Sequence, residues 1–138
     1  MILGIGNDLV DIQRIEYSLL RFGTRFEQRI FTVAEQQYAR KNENADIRAV
    51  ASIYAKRFAA KEACAKALAT GLGDGVSWRD IEVVKKTGGA VGVHVTGGAL
   101  AKLQALTPAG MKAQIFLSLA DEYPYAQAQV IISAVAAL

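Results

Sequence analysis

The chain has 138 residues, 52% of them hydrophobic and 21% charged, with a formal net charge of +3. So apolar and nearly neutral a sequence excludes disorder, and its length suits one domain, residues 1–138, that needs no disulfide to hold its core. A surplus of three charges also excludes a polycation, and no basic run with interleaved aromatics is present, so a nucleic-acid partner is not expected.

In chain order, Ile2 to Ile5 read as a short buried strand, ended by Gly4-x-Gly6 and Asn7-Asp8. Ile12, Ile15, Leu19 and Phe22 recur at helical spacing, and Gly23 is placed to stop that helix. Two capping boxes follow, Thr24-x-x-Glu27 and Thr32-x-x-Glu35. They predict a short helix to about Ile30 and another from Val33 to about Lys41. Asn42 to Asp46 is a polar loop. From Ile47 to Thr70 the sequence is rich in alanine, lacks Gly and Pro, and is closed by Gly71; this is the longest predicted helix.

The second half changes character. Ile81 to Val84 and Val91 to Val95 read as strands around a Gly88-Gly89 turn, and Ala99 to Leu106 as a helix stopped at Thr107-Pro108. Two further strands, about Lys112–Leu119 and Ala126–Val135, are joined through Asp121-Glu122-Tyr123-Pro124. Helices early and mostly antiparallel strands late predict an α+β fold, with one long central helix packed on a sheet.

Cys64 is the only cysteine, which makes a reducing, cytoplasmic setting the expectation. The N-terminus lacks the basic flank of a signal peptide, and Val130 to Leu138 is too short to span a bilayer, so no membrane association is expected.

Three groups of residues carry possible chemistry. Asp8 follows a strand and a glycine pair, where a carboxylate can face a ligand; equally, Asn7-Asp8-x-x-Asp11 can be turn chemistry with a helix N-cap. On the long helix, Arg57 and Lys61 lie one turn apart, as do Glu62 and Lys66, with alanines between them leaving room for a close ligand. Hard oxygens such as those of Asp8 and Glu62 suit Mg²⁺, and three neighbouring cations suit a polyphosphate. A solvated helix face with an ordinary Glu62–Lys66 pair is the competing explanation. Arg14, Arg21 and Arg25 form a basic stripe able to dock an acidic surface, although Gly23 interrupts it and a solvated helix face is the commoner explanation. The surplus charge belongs to this half: residues 1–66 hold eleven Lys/Arg against eight Asp/Glu, and 67–138 hold five of each. His94 has no His or Cys near it to suggest a metal site, and Cys64, among alanines, reads as packing.

Taken together, Gly4-Ile5-Gly6-Asn7-Asp8-Leu9-Val10-Asp11-Ile12 and Arg57-Phe58-Ala59-Ala60-Lys61-Glu62-Ala63-x-x-Lys66-Ala67 resemble the two signatures of the holo-[acyl-carrier-protein] synthases. These are the small trimeric class of 4′-phosphopantetheinyl transferases. Gly73-x-Gly75-x-x-Trp78-x-Asp80-Ile81-Glu82 and Leu117-Ser118-Leu119…Tyr125-Ala126 extend the likeness over nearly the whole chain. The resemblance implies Mg²⁺-dependent transfer of phosphopantetheine from coenzyme A to a serine of apo acyl carrier protein, in support of fatty acid biosynthesis. It matches Asp8 and Glu62 to metal-binding carboxylates and Lys66 to a lysine beside the diphosphate. Arg57 and Lys61 match coenzyme A-binding residues, and Arg14, Arg21 and Arg25 match the carrier-docking helix. It further implies a homotrimer with its active site between subunits. One departure stands out: the late histidine of many relatives is missing from Ser118-Leu119-Ala120-Asp121. A coenzyme A-binding module without transferase activity is the alternative that this departure leaves open.

Overall fold

The structure, a computed structural model, describes residues 1–138. Its first strand, β1, runs from Ile2 to Asp11 and is more than twice the length that the glycines suggest. Gly4 and Gly6 do not turn the chain. They face the long helix α4 (Ile47–Ala67), where a Cβ on Gly4 would stand 2.0 Å from the Ala67 carbonyl oxygen and one on Gly6 2.0 Å from that of Ala63. The pair lets a strand lie directly on helix backbone, and Ala63 and Ala67 supply the matching shallow stripe. The strand ends where the Asp11 side chain accepts a hydrogen bond from the Gln13 N–H at 2.9 Å, capping helix α1 (Ile12–Phe22).

Gly23, at φ +57°, stops α1 and opens helix α2 (Thr24–Ile30) directly. The expected Thr24-x-x-Glu27 box does not form. Glu27 is instead buried, held by Arg40 at 3.0 and 3.1 Å and by the Tyr54 hydroxyl at 2.5 Å. The Thr32-x-x-Glu35 box does form, at the start of helix α3 (Val33–Arg40). Helix α4 follows with Asp46 as its N-cap, and it buries Ala51, Ala55, Ala59, Ala60, Ala63 and Ala67.

Strands β2 (Ile81–Lys85) and β3 (Val91–Val95) form a separate antiparallel hairpin, followed by helix α5 (Gly97–Leu106). Strands β4 (Met111–Glu122) and β5 (Tyr125–Ala136) pair antiparallel, and β1 adds to β5, giving the order β1-β5-β4. This mixed helix-and-antiparallel-sheet architecture agrees with the expected α+β class. One face of the sheet, with Val10, Ala128, Val130 and Ile132 buried, packs on α4. The other carries the row Ile5–Ile131–Phe116 across all three strands and leaves Ile5 and Phe116 more than half exposed. No helix is long and apolar enough to cross a membrane.

Candidate active site

Alternation along β1 places Asp8 on the same side as Gly4 and Gly6, hence toward α4. On α4, Glu62 and Lys66 lie one residue ahead of the Ala63–Ala67 stripe that receives the glycines. Asp8, Glu62 and Lys66 therefore meet at the edge of the β1–α4 seam. The Lys66 ammonium donates to the Asn7 carbonyl at 2.9 Å and to Asp8 Oδ1 at 3.2 Å. Burial, and then the nearby Asp8 charge, raise the Glu62 pKa above the ordinary carboxylate value, with Lys66 acting in opposition. Two carboxylates from distant parts of the chain are thus held close enough to repel. Such a pair of hard oxygen donors fits a divalent cation that completes its shell with phosphate and water. Asp8 is accordingly a seam residue and not part of a turn.

A cavity of about 600 Å³ opens beside Glu62, walled by Arg29, Leu72, Ser77, Trp78 and Arg79. Trp78 stacks on Phe58 with ring centroids 4.8 Å apart. Arg29 and Arg79 were not singled out from the sequence. The i, i+4 step from Arg25 is a signal for Arg29, whereas nothing local marks Arg79.

Arg57 does not join this group. It lines a different cavity, about 420 Å³, with Tyr38, Lys56, Lys85, Ser118 and Asp121. Its guanidinium lies 4.3 Å from the Tyr38 ring centroid, and Lys85 Nζ is 3.2 Å from the Tyr38 hydroxyl. The Lys85 hydrogen bond leads the effects that hold the Tyr38 phenol below its usual pKa, despite partial burial. Asp121, in the run that lacks histidine, pairs with Lys56 at 3.5 Å. This basic cavity borders β4, at the opposite edge of the sheet from Asp8 on β1.

Lys61 corrects an expectation. Its ammonium has no solvent exposure; it sits 2.7 Å from Glu35 and donates to the carbonyls of Trp78, at 3.1 Å, and Ile81. Burial pulls its pKa down while Glu35 pushes it back. All its donors are engaged inside the protein, so in this structure it is closed to a coenzyme.

Arg14, Arg21 and Arg25 are exposed, the first two on α1 and the third on α2 beyond Gly23. Arg14 borders a groove of about 500 Å³ with Tyr17, Ser18, Phe26 and Phe58. Ser18, Phe26 and Phe58 continue into a neighbouring groove that Arg25, Arg29 and Trp78 complete, and so lead from α1 toward the Glu62 cavity. His94 is exposed on β3, and Cys64 is buried with its thiol pushed up to about 12.

Residues 4–127 match the 4′-phosphopantetheinyl transferase superfamily. A holo-[acyl-carrier-protein] synthase of Mesorhizobium japonicum is 58% identical over 134 residues, covering 97% of this chain and 94% of the relative. Among solved structures, a holo-[acyl-carrier-protein] synthase from Neisseria meningitidis superposes with a TM-score of 0.78 at 31% identity, covering 96% of this chain and 99% of that one. The Helicobacter pylori enzyme, solved in complex with coenzyme A, gives a TM-score of 0.75 at 29% identity, with 94% and 99% covered.

Proposed function

Because the chain belongs to the holo-[acyl-carrier-protein] synthases of the 4′-phosphopantetheinyl transferase superfamily, we propose that Asp8, Glu62 and Lys66 form the centre of its reaction. It transfers the 4′-phosphopantetheine group from coenzyme A to a serine of apo acyl carrier protein. The observation that carries the assignment is the convergence of two repelling carboxylates and a lysine at the β1–α4 seam, beside a cavity flanked by Arg29 and Arg79.

Phosphoryl transfer depends on positioning and on electrostatic stabilisation more than on covalent help from the protein. The serine oxygen attacks the β-phosphorus of coenzyme A as its proton passes to water, and the P–O bond to adenosine 3′,5′-bisphosphate breaks to release that group. Asp8 and Glu62 would hold Mg²⁺, which offsets charge on the diphosphate when bound. Lys66, already directed at Asp8, is placed to donate to a phosphate oxygen, and Arg29 and Arg79 give the cavity a cationic wall. Arg14 and Arg25 present positive charge for the acidic carrier along the grooves that lead to this cavity, and Arg21 adds to it from the exposed face of α1.

The active unit is a homotrimer. Asp8 and the Arg57 cavity lie at opposite edges of one sheet, an arrangement suited to a site completed by a neighbouring copy. A cyclic, head-to-tail arrangement brings the β1 edge of one copy to the β4 edge of the next. The exposed Ile5–Ile131–Phe116 row supplies an apolar face for such contacts. Each copy folds as one domain, residues 1–138, and works in the cytoplasm in support of fatty acid biosynthesis.

The test is mass spectrometry of apo carrier protein incubated with enzyme, coenzyme A and Mg²⁺. The expected result is a carrier heavier by one phosphopantetheine, with adenosine 3′,5′-bisphosphate released and both lost on chelation of the metal. Coenzyme A binding with no mass gain on a competent carrier would leave only a binding module. Transfer that survives chelation would overturn the metal assignment.

A further inference from the structure

We propose that Lys61 is a positioning residue for the transfer: from inside the core it holds the Trp78–Ile81 segment, and with it the wall of the cavity that faces Glu62. This role rests on the transferase function above. Lys61 and Glu35 are both fully buried and 2.7 Å apart. An ammonium in such a place needs every proton satisfied, and two of its hydrogen bonds go to main-chain carbonyls, those of Trp78 and Ile81. Glu35 is tied down in turn. Its Oε1 accepts from the Thr32 N–H and its Oε2 from the Val83 N–H, each at 2.9 Å.

Lys61 therefore joins α3, α4, the short 3₁₀ turn Trp78–Asp80 and β2 through one point. That point is next to Glu62 in sequence. The segment it anchors carries Trp78 and Arg79, both lining the Glu62 cavity, and Trp78 stacks on Phe58 at 4.8 Å. The segment just before it contains Gly71, Gly73 and Gly75, all at positive φ and with open space where a Cβ would stand. The wall is also tied from its own side, where the Gly75 carbonyl packs on Gly98, Val76 is buried, and the Asp80 carboxylate accepts from the Ser77 and Gly98 N–H groups. Lys61 adds the polar tie from α4, one residue from Glu62, that holds the main chain of Trp78 and Ile81 to the helix carrying the carboxylate.

Trp78 is the only tryptophan in the chain, so its fluorescence reports on this wall directly. Removing one partner of a buried ion pair strands the other, whereas replacing both is better tolerated. The informative variants are therefore K61M/E35Q and K61Q/E35Q, which differ by the amide that can still donate toward the carbonyls. In a folded K61M/E35Q, Trp78 emission should shift to the red and become easier to quench with acrylamide. The KM for coenzyme A should rise about tenfold, as expected for a small displacement of binding groups, while the KM for carrier protein stays put. K61Q/E35Q should fall between this variant and wild type. Simple loss of folded enzyme would lower kcat and move neither KM.

A folded K61M/E35Q with wild-type Trp78 emission, or with a wild-type KM for coenzyme A, would overturn the role. If neither variant melts cooperatively, hydrogen exchange on the wild-type protein decides. The Asp80 and Val83 amides should then exchange as slowly as those of central α4, and exchange as fast as the Gly71–Gly75 loop would overturn the anchor. A wild-type enzyme that transfers nothing would count against the transferase function instead, and the Trp78 spectra and exchange rates would still judge Lys61.

Discussion

Glu62 is the residue at which stability and function pull in opposite directions. Its carboxyl titrates above the ordinary value because of burial first and the Asp8 charge second. A folded-state pKa above the unfolded one means that the native chain holds this proton more tightly. The resulting stabilisation is complete below the unfolded pKa and is lost as pH rises through the folded one. In metal-free buffer, Glu62→Gln should therefore melt above wild type at neutral pH. The gap should close as pH falls through the carboxylate range. Transfer by the same variant should drop by about 10²–10³-fold, the usual scale for deleting a group that stabilises transition-state charge. Thermal melts across pH with a mass-based transfer assay check both halves. A gap that ignores pH, or wild-type turnover, contradicts the placement of Glu62 in a repelling pair that binds the metal. Lys61, one position earlier, shows how burial divides neighbours: its ammonium is enclosed, whereas Glu62 borders a cavity.

Among the elements, the β1–α4 seam decides whether the site exists. Gly6→Ala would drive a Cβ to 2.0 Å from the Ala63 carbonyl oxygen, with rigid backbone on both sides. A cost of about 2–3 kcal/mol is expected from such overpacking, together with loss of transfer as Asp8 moves away from Glu62. Gly71→Ala meets nothing within 4 Å and faces only its positive φ of +70°, so about 1 kcal/mol is expected. Denaturant melts of the two variants should rank them in that order; a Gly6→Ala that costs no more than Gly71→Ala would contradict the seam. The seam also marks where the sequence stops being legible. Helix periodicity, the Thr32–Glu35 box and the alternating late strands are local signals, and the elements they predict are present. The Gly4-x-Gly6 pair reads locally as a turn because its partner, α4, lies some sixty residues downstream. Glu27 reads as a capping residue for the same reason, since Arg40 and Tyr54 claim it only after the helices pack. Asp8, Glu62 and Lys66 could be picked out as candidates by spacing and resemblance. That Lys61 turns inward and that Arg79 joins the wall are facts of tertiary packing, which no local pattern carries.

At the scale of the whole molecule, the proposed site has two parts, at opposite edges of the sheet. The carboxylates and Lys66 sit at the β1 edge, and Arg57, Lys85 and Tyr38 at the β4 edge. The proposed function assigns much of the mild charge surplus to the Arg14, Arg21 and Arg25 stripe and to the two cavities. In the proposed ring, joining the edges of successive copies would make each site the property of two chains, and mixing tests this. Glu62→Gln keeps an intact β4 edge, and Arg57→Gln keeps an intact β1 edge. Each should be nearly inactive alone. Equal amounts, unfolded and refolded together, should recover about a quarter of wild-type transfer, because a quarter of adjacent pairs in a random closed ring unite two intact halves. Mixed trimers that form yet remain as inactive as their components would contradict a site shared between chains.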